Sequence, residues 1–183
     1  RKVTKFLYDL IAMIEIKTKR LSLRNITPEY KTSLISLIGN ESVSRSLGNV
    51  PFPYTDSDAD WWIASVKSNP LDLNVFRNNE LIGGVGLTEH KHDLVELGYW
   101  MGKPYWGFGY ATEAAIGLLQ FASDTLTNKQ VFAKVYLNNY ASERVLSKLG
   151  FVKDGTDVSI DVSTKSKIAC HRYVLPLTGL QCL

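Results

Sequence analysis

Polar and apolar residues alternate over residues 20–26, the two-residue period of a strand with one buried face. The period then changes. After Pro28, Tyr30, Leu34, Leu37 and Ile38 fall on one face of a helix that Gly39 ends, and residues 41–47 predict a second, short helix. Pro51-Phe52-Pro53-Tyr54 reads as stiff, extended chain, because each proline biases its predecessor away from helix. Thr55-Asp56-Ser57-Asp58 carries capping oxygens ahead of Trp61, Trp62, Ile63 and Val66, which predicts a third helix. Residues 71–77 and 80–88 form a hairpin about Asn78-Asn79, and 89–93 turn into a strand over 94–101. In that strand Glu96 shares a face with Leu94, Gly98 and Trp100, opposite Val95, Leu97, Tyr99 and Met101. A glutamate there is costly unless solvated, paired or functional.

The second half holds the densest signal. Gly102-Lys103-Pro104 punctuates the strand, and the run Trp106-Gly107-Phe108-Gly109-Tyr110-Ala111-Thr112-Glu113-Ala114 follows. Ala111, Ala115, Leu118 and Ala122 recur at helical spacing, so a helix starts at the glycines. Its unpaired N–H groups and positive dipole end then point into a hollow without side chains, which suits a phosphate or pyrophosphate. A plain strand-to-helix connection is the bland alternative. The dinucleotide fingerprint is another, but Thr112 occupies its third glycine position, and Lys129, Gln130 and Val131 stand where its acidic residue belongs.

After a strand over 131–136, residues 138–151 read as a short helix with Asn139 as N-cap, an apolar stripe of Ala141, Val145 and Leu149, and Gly150 just past its end. Asn139 and Ser142, three apart, face the same way, as a cap with its first-turn neighbour or as a ligand pair. Strands at 151–160 and 168–177 complete a mixed sheet. Periodicity alone gives one α+β domain.

The Gly-x-Gly-Tyr-Ala-Thr-Glu-Ala loop, followed by Asn-x-x-Ser-x-x-Val-Leu-x-Lys-Leu-Gly-Phe, resembles the GNAT superfamily of acetyl-CoA-dependent N-acetyltransferases over residues 14 to about 176. The likeness is nearest to its RimJ/RimL-type branch, named for enzymes that acetylate ribosomal-protein N-termini. It implies the acyl-CoA N-acyltransferase fold, a mixed and mostly antiparallel central sheet with helices on both faces. It further implies that Trp106, Gly107, Phe108, Gly109, Tyr110, Ala111 and Thr112 hold the pyrophosphate of acetyl-CoA. By the same likeness the backbone of Tyr99, Trp100 and Met101 bonds the pantetheine and the acetyl carbonyl, side-chain identity mattering less there. Asn139 would bind the pantetheine arm, the Ser142 hydroxyl would approach the sulfur, and Glu96 would relay the amine proton through water, unless it is a surface glutamate. Two positions depart from the pattern. Trp106 stands where the family often has Gln or Arg, and would pack against the ligand; Leu146 stands where many members carry a tyrosine acid.

Composition adds limits. Among 183 residues, 45% are hydrophobic and 21% charged, an ordinary globular balance. A net charge of +3 is too small and dispersed to argue for nucleic acid, though it suits an anionic ligand. Cys170 and Cys182 have no metal or redox spacing and read as free thiols of a cytoplasmic protein, and no apolar run is long enough to span a bilayer. Residues 1–12 imitate a signal peptide only superficially and read as an extension ahead of a single domain over 13–183. His90, His92 and His171 are unclustered and read as surface or packing residues. Asp56, Asp58 and Asp60 either cap a helix or attract a cation; Trp61 and Trp62 read as core and rim, or as a wall of the acceptor pocket.

The resemblance implies direct transfer from acetyl-CoA, without an acyl-enzyme or a metal, and the absence of a nucleophile elbow agrees. The attacking amine must be neutral. At pH 7 an α-amine of pKa near 8 loses about 1.4 kcal/mol to protonation, a lysine near 10.4 about 4.6. A site with at most one carboxylate base and no tyrosine acid suits the cheaper amine, hence a protein or peptide N-terminus. A polyamine or aminoglycoside-like acceptor, with a cleft lined by carboxylates, and a non-catalytic acyl-CoA-binding module are the alternatives. Either a monomer or a homodimer is compatible, with no nucleic-acid or membrane partner.

Overall fold

The computed structural model describes residues 14–176, apart from the Lys67 side chain. Its strands are β1 (Glu15–Lys17), β2 (Ser22–Arg24), β3 (Asp72–Arg77), β4 (Glu80–Glu89), β5 (Leu94–Met101), β6 (Gln130–Tyr136), β7 (Val152–Ile160) and β8 (Lys167–Val174). Its α-helices are α1 (Lys31–Ile38), α2 (Glu41–Leu47), α3 (Asp56–Ser65), α4 (Tyr110–Phe121), α5 (Ser123–Leu126) and α6 (Tyr140–Lys148). The strands form one sheet in the order β1-β2-β3-β4-β5-β6-β8-β7, antiparallel throughout except between β5 and β6.

Local chemistry accounts for many of these boundaries. Asn78 and Asn79 turn the β3–β4 hairpin with φ of 49° and 64°, the doubly positive conformation that matches the twist of paired strands. Thr55 and Asp58 form a reciprocal capping box at the start of α3, and Asn40 caps α2 through the Ser42 N–H.

Helices cover both faces. Val95, Leu97 and Met101 of β5 pack in one core with Tyr110, Ala114, Ala115 and Leu118 of α4, and with Leu146 and Leu149 beyond. Trp100, on the opposite face of the same strand, packs with Leu34, Ile38, Val43, Ala59 and Ile63 of α1 to α3.

Some expectations needed correction. The strand expected over 20–26 is only Ser22–Arg24, with β1 as a partner that periodicity did not single out. Of the expected stripe, Leu149 is buried and Val145 packs against the core, whereas Ala141 is exposed; Leu146, outside that stripe, is buried as well. The opening extension, the end of the domain and Cys182 lie outside the described residues. Among those residues no helix is long and apolar enough to cross a membrane.

One feature of the sheet positions the site. The parallel pairing of β5 with β6 covers only Leu94/Gln130, Val95/Val131 and Glu96/Phe132. Both strands continue, to Met101 and Tyr136, each held from its outer side by β4 or β8. Between those continuations the sheet opens.

Candidate active site

The main chain of β5 is oriented by its pairing with β4. The His90 N–H donates to Leu94 O and the Gly102 N–H to Ile82 O, so alternation turns the amides of Glu96, Gly98 and Trp100 toward β4. Tyr99 and Met101 turn theirs toward the opening. Trp100 is therefore the exception among the three expected backbone ligands: its main chain serves the sheet and its indole the second core.

Gly107 and Gly109 adopt φ of 83° and 78°, a left-handed region that a side chain disfavours, and a Cβ on Gly107 would meet no atom within 4 Å. Gly109 is the N-cap of α4 and supplies no capping side chain, so the amides of the first turn are left open. The loop is clamped from β1–β2. Glu113 Oε1 accepts from the Thr18 hydroxyl at 2.7 Å and the Arg20 N–H at 2.7 Å, while Arg20 Nε donates to Oε2 at 2.6 Å. Arg20 also donates to Phe108 O at 3.1 Å and lies 4.6 Å from the Tyr110 ring centre. Burial works against the Glu113 charge, but the bonds from Thr18 and Arg20 and the Arg20 charge outweigh it and hold the carboxyl below its ordinary pKa. Phe108 is exposed, Tyr110 is buried, and Ala111 and Thr112 are partly buried. The Trp106 indole N–H donates to Met101 O at 2.7 Å, tying the loop to the end of β5.

At the start of α6, Asn139 Oδ1 accepts from the Ser142 N–H at 3.2 Å and so acts as a cap. The Ser142 hydroxyl lies 2.8 Å from the Tyr99 hydroxyl, which also donates to Ser142 O at 3.1 Å. Tyr99 thus reaches from one lip of the opening to the other. Burial pushes its phenol well above the ordinary pKa, so it stays protonated as a donor. Leu146 is fully buried in the core. The beginnings of α4 and α6 consequently flank the opening from the same face of the sheet.

On the other face, Glu96 Oε2 lies 2.9 Å from His90 Nε2, at the last paired rung before the sheet opens. His90 is therefore paired, and so is His171, 2.7 Å from Glu143 Oε1. Asp58 belongs to the capping box, while Asp56 and Asp60 share Lys31 at 3.5 and 2.9 Å. Trp61 is exposed and Trp62 partly buried. Cys170 is buried and its thiol pushed upward by that burial, which suits packing better than nucleophilic chemistry. Sequence reasoning missed Thr18, Arg20 and the Tyr99 hydroxyl. Their partners lie far along the chain, although an acid in the first turn of α4 was a visible sign that something cationic or dipolar would meet it.

The chain as a whole is similar to known proteins. Residues 20–152 match the family described as the acetyltransferase (GNAT) domain. The uncharacterized N-acetyltransferase p20 of Bacillus licheniformis is 29% identical over 153 residues, 78% of this chain and 85% of that protein. A GNAT-family acetyltransferase from Bacillus anthracis superimposes with a TM-score of 0.79 at 18% identity, covering 90% of this chain and 99% of that one. RimL, a ribosomal L7/L12 alpha-N-protein acetyltransferase, gives 0.71 at 16% identity over 88% and 93%. At such identities the superpositions speak to fold alone. The family match carries the conclusion that the chain belongs to the GNAT family, as an acetyl-CoA-dependent N-acetyltransferase.

Proposed function

We propose that the acceptor is the free N-terminal amine of a peptide or protein, acetylated in the opening between β5 and β6. The observation that carries this reading is the opening itself, edged by Tyr99 and Met101 amides and flanked on one face by the starts of α4 and α6. The uncapped first turn of α4, from Gly109 to Thr112, is where the pyrophosphate would be held. Lys17, Lys19 and Lys148 line a hollow of about 740 Å³ that also includes Gly109 and Thr112, and they add positive charge nearby. The Asn139 amide nitrogen and the Tyr99 and Met101 main chain would hold the pantetheine arm.

In the transfer an N–C bond forms as the C–S bond breaks. Tyr99 has one proton to share between Ser142 Oγ and Ser142 O; given to Oγ when substrate is bound, it would leave the Ser142 proton free for the departing thiolate. Glu96, oriented by His90, takes the amine proton through water. With one such acceptor of protons and Leu146 in place of a tyrosine acid, the amine that costs least to deprotonate is favoured, by about 3 kcal/mol over lysine. A small polyamine is the second reading, and the carboxylate of Asp72, on the Glu96 face of the sheet, is the observation in its favour. The test is thiol release from acetyl-CoA with three acceptor sets: peptides with free N-termini, Nα-blocked lysine peptides, and diamines. Faster turnover of the blocked lysine peptides than of the free N-termini would overturn the N-terminal reading.

A further inference from the structure

The face of the sheet that carries Glu96 has a gap in its cover. Cross-strand register places Asp72, Gly86 and Gly98 in one row across β3, β4 and β5, with Asn74, Gly84 and Trp100 in the next. Gly98 is exposed in mid-strand, and a Cβ added there would meet nothing within 4 Å. The Asp72 carboxylate leans over Gly86: a Cβ on that glycine would lie 2.8 Å from Asp72 Oδ1. It therefore reaches across β4 toward the open floor at Gly98, whose Cα lies about 5.5 Å from that of Gly86 in such a pair. Asp72 is partly buried, yet no hydrogen bond or ion pair reaches its carboxylate among the described residues. Asn74, on the same face two residues along β3, is 1% exposed, and neither atom of its amide has a partner. A buried amide without partners is costly, and so is a half-buried carboxylate that has lost part of its water without gaining a partner. The carboxylate stands beside the open floor at Gly98 and the amide one row in, next to the Gly84 that the Trp100 indole covers, and the pair asks for a ligand that brings donors and positive charge.

We propose that Asp72 and Asn74 form a subsite for a second cationic group on the amine acceptor, so that preferred acceptors carry one positive charge at the reacting nitrogen and another about 7–10 Å away. This rests on the amine-transfer reading above and adds the chemistry of the acceptor's tail. The acceptor lies over Gly98 with its reacting end toward Glu96 and the opening. Its distal ammonium or guanidinium meets Asp72 over Gly86, and Asn74 accepts from a remaining N–H. Burial lifts the Asp72 pKa to about 6, so the group is charged at neutral pH and gains from a cation. A basic side chain beside a peptide N-terminus and a diamine supply the same chemistry.

Matched acceptors separate the cases: 1,6-diaminohexane against hexylamine, and Ser-Lys-Ala-Ala against Ser-Gln-Ala-Ala, each with acetyl-CoA at pH 7.5. The intact enzyme should favour the dication of at least one pair by about tenfold in kcat/KM, and Asp72→Asn should bring that ratio close to one. Gly86→Ala should do the same by displacing the carboxylate. The pair that shows the preference identifies the source of the charge. Equal kcat/KM within both pairs for the intact enzyme, or a ratio that Asp72→Asn leaves in place, overturns the subsite while the transfer reading stands. Calorimetric binding of 1,6-diaminohexane and of Ser-Lys-Ala-Ala provides the independent arm. Asp72-dependent binding without thiol release supports the subsite and ends the transfer reading; absence of both ends the two together.

Discussion

Single residues divide into those that stabilise the fold and those that the fold tolerates. Asp72 belongs to the second group. Its folded pKa of about 6 lies above the ordinary 3.8, so the fold prefers the protonated form. Stability is therefore lost as pH rises from about 4 through about 6, and the deficit is complete above that. Asp72→Asn should raise unfolding free energy at pH 7.5 by about 3 kcal/mol and by almost nothing at pH 3, as measured by urea denaturation. A loss at pH 7.5 would mean that the carboxylate has a partner inside the fold. Ser142 matters through the reaction and not through stability. Ser142→Ala should lower the single-turnover transfer rate about a hundredfold with little change in acetyl-CoA affinity, and Tyr99→Phe, which spares the serine, about tenfold. If both variants turn over normally, the thiolate leaves without them.

At the scale of elements, legibility followed locality. The α2 helix, the Asn78-Asn79 hairpin, the α3 cap and the Gly109 start of α4 are each determined by residues within a few positions, and all were readable. The Thr18–Arg20–Glu113 clamp joins parts of the chain 93 or more residues apart, and the Tyr99–Ser142 bond spans 43; no periodicity reveals either. The stripe of α6 lost only its first member, because Ala141, apolar and in phase with Val145 and Leu149, is small enough to stand in water, while Leu146 joins the core beside them. Motif spacing made the loop and the cap legible as a pair, whereas the acceptor side carries no motif. Gly109→Val tests the α4 start. The left-handed backbone should cost about 1–2 kcal/mol, less than a domain's whole stability, while acetyl-CoA affinity falls about a hundredfold by calorimetry. An unaltered Kd would place the pyrophosphate elsewhere.

For the whole molecule, the decisive property is that two half-sheets share three parallel rungs and two flanking helices. A ligand lying in the opening binds the folded state alone. Acetyl-CoA at about a hundred times its Kd should therefore stabilise the protein by about 2.7 kcal/mol, a rise of roughly 5–10 °C in Tm by scanning calorimetry. Coenzyme A without the acetyl group should give most of that shift, since it keeps the diphosphate and the arm. No shift with either compound would mean that the opening is not the coenzyme site.

The short β5–β6 ladder also bears on timing. A co-substrate bound as proposed, on the rungs missing between Met101 and Tyr136, would have to be peeled away again after every cycle, and the spent thiol retains nearly all the hydrogen-bonding groups of its acetylated form. Departure of the used carrier, not bond making, then sets the pace. Rapid mixing should reveal a first turnover faster than all later ones, and a more viscous solvent should slow only the later ones.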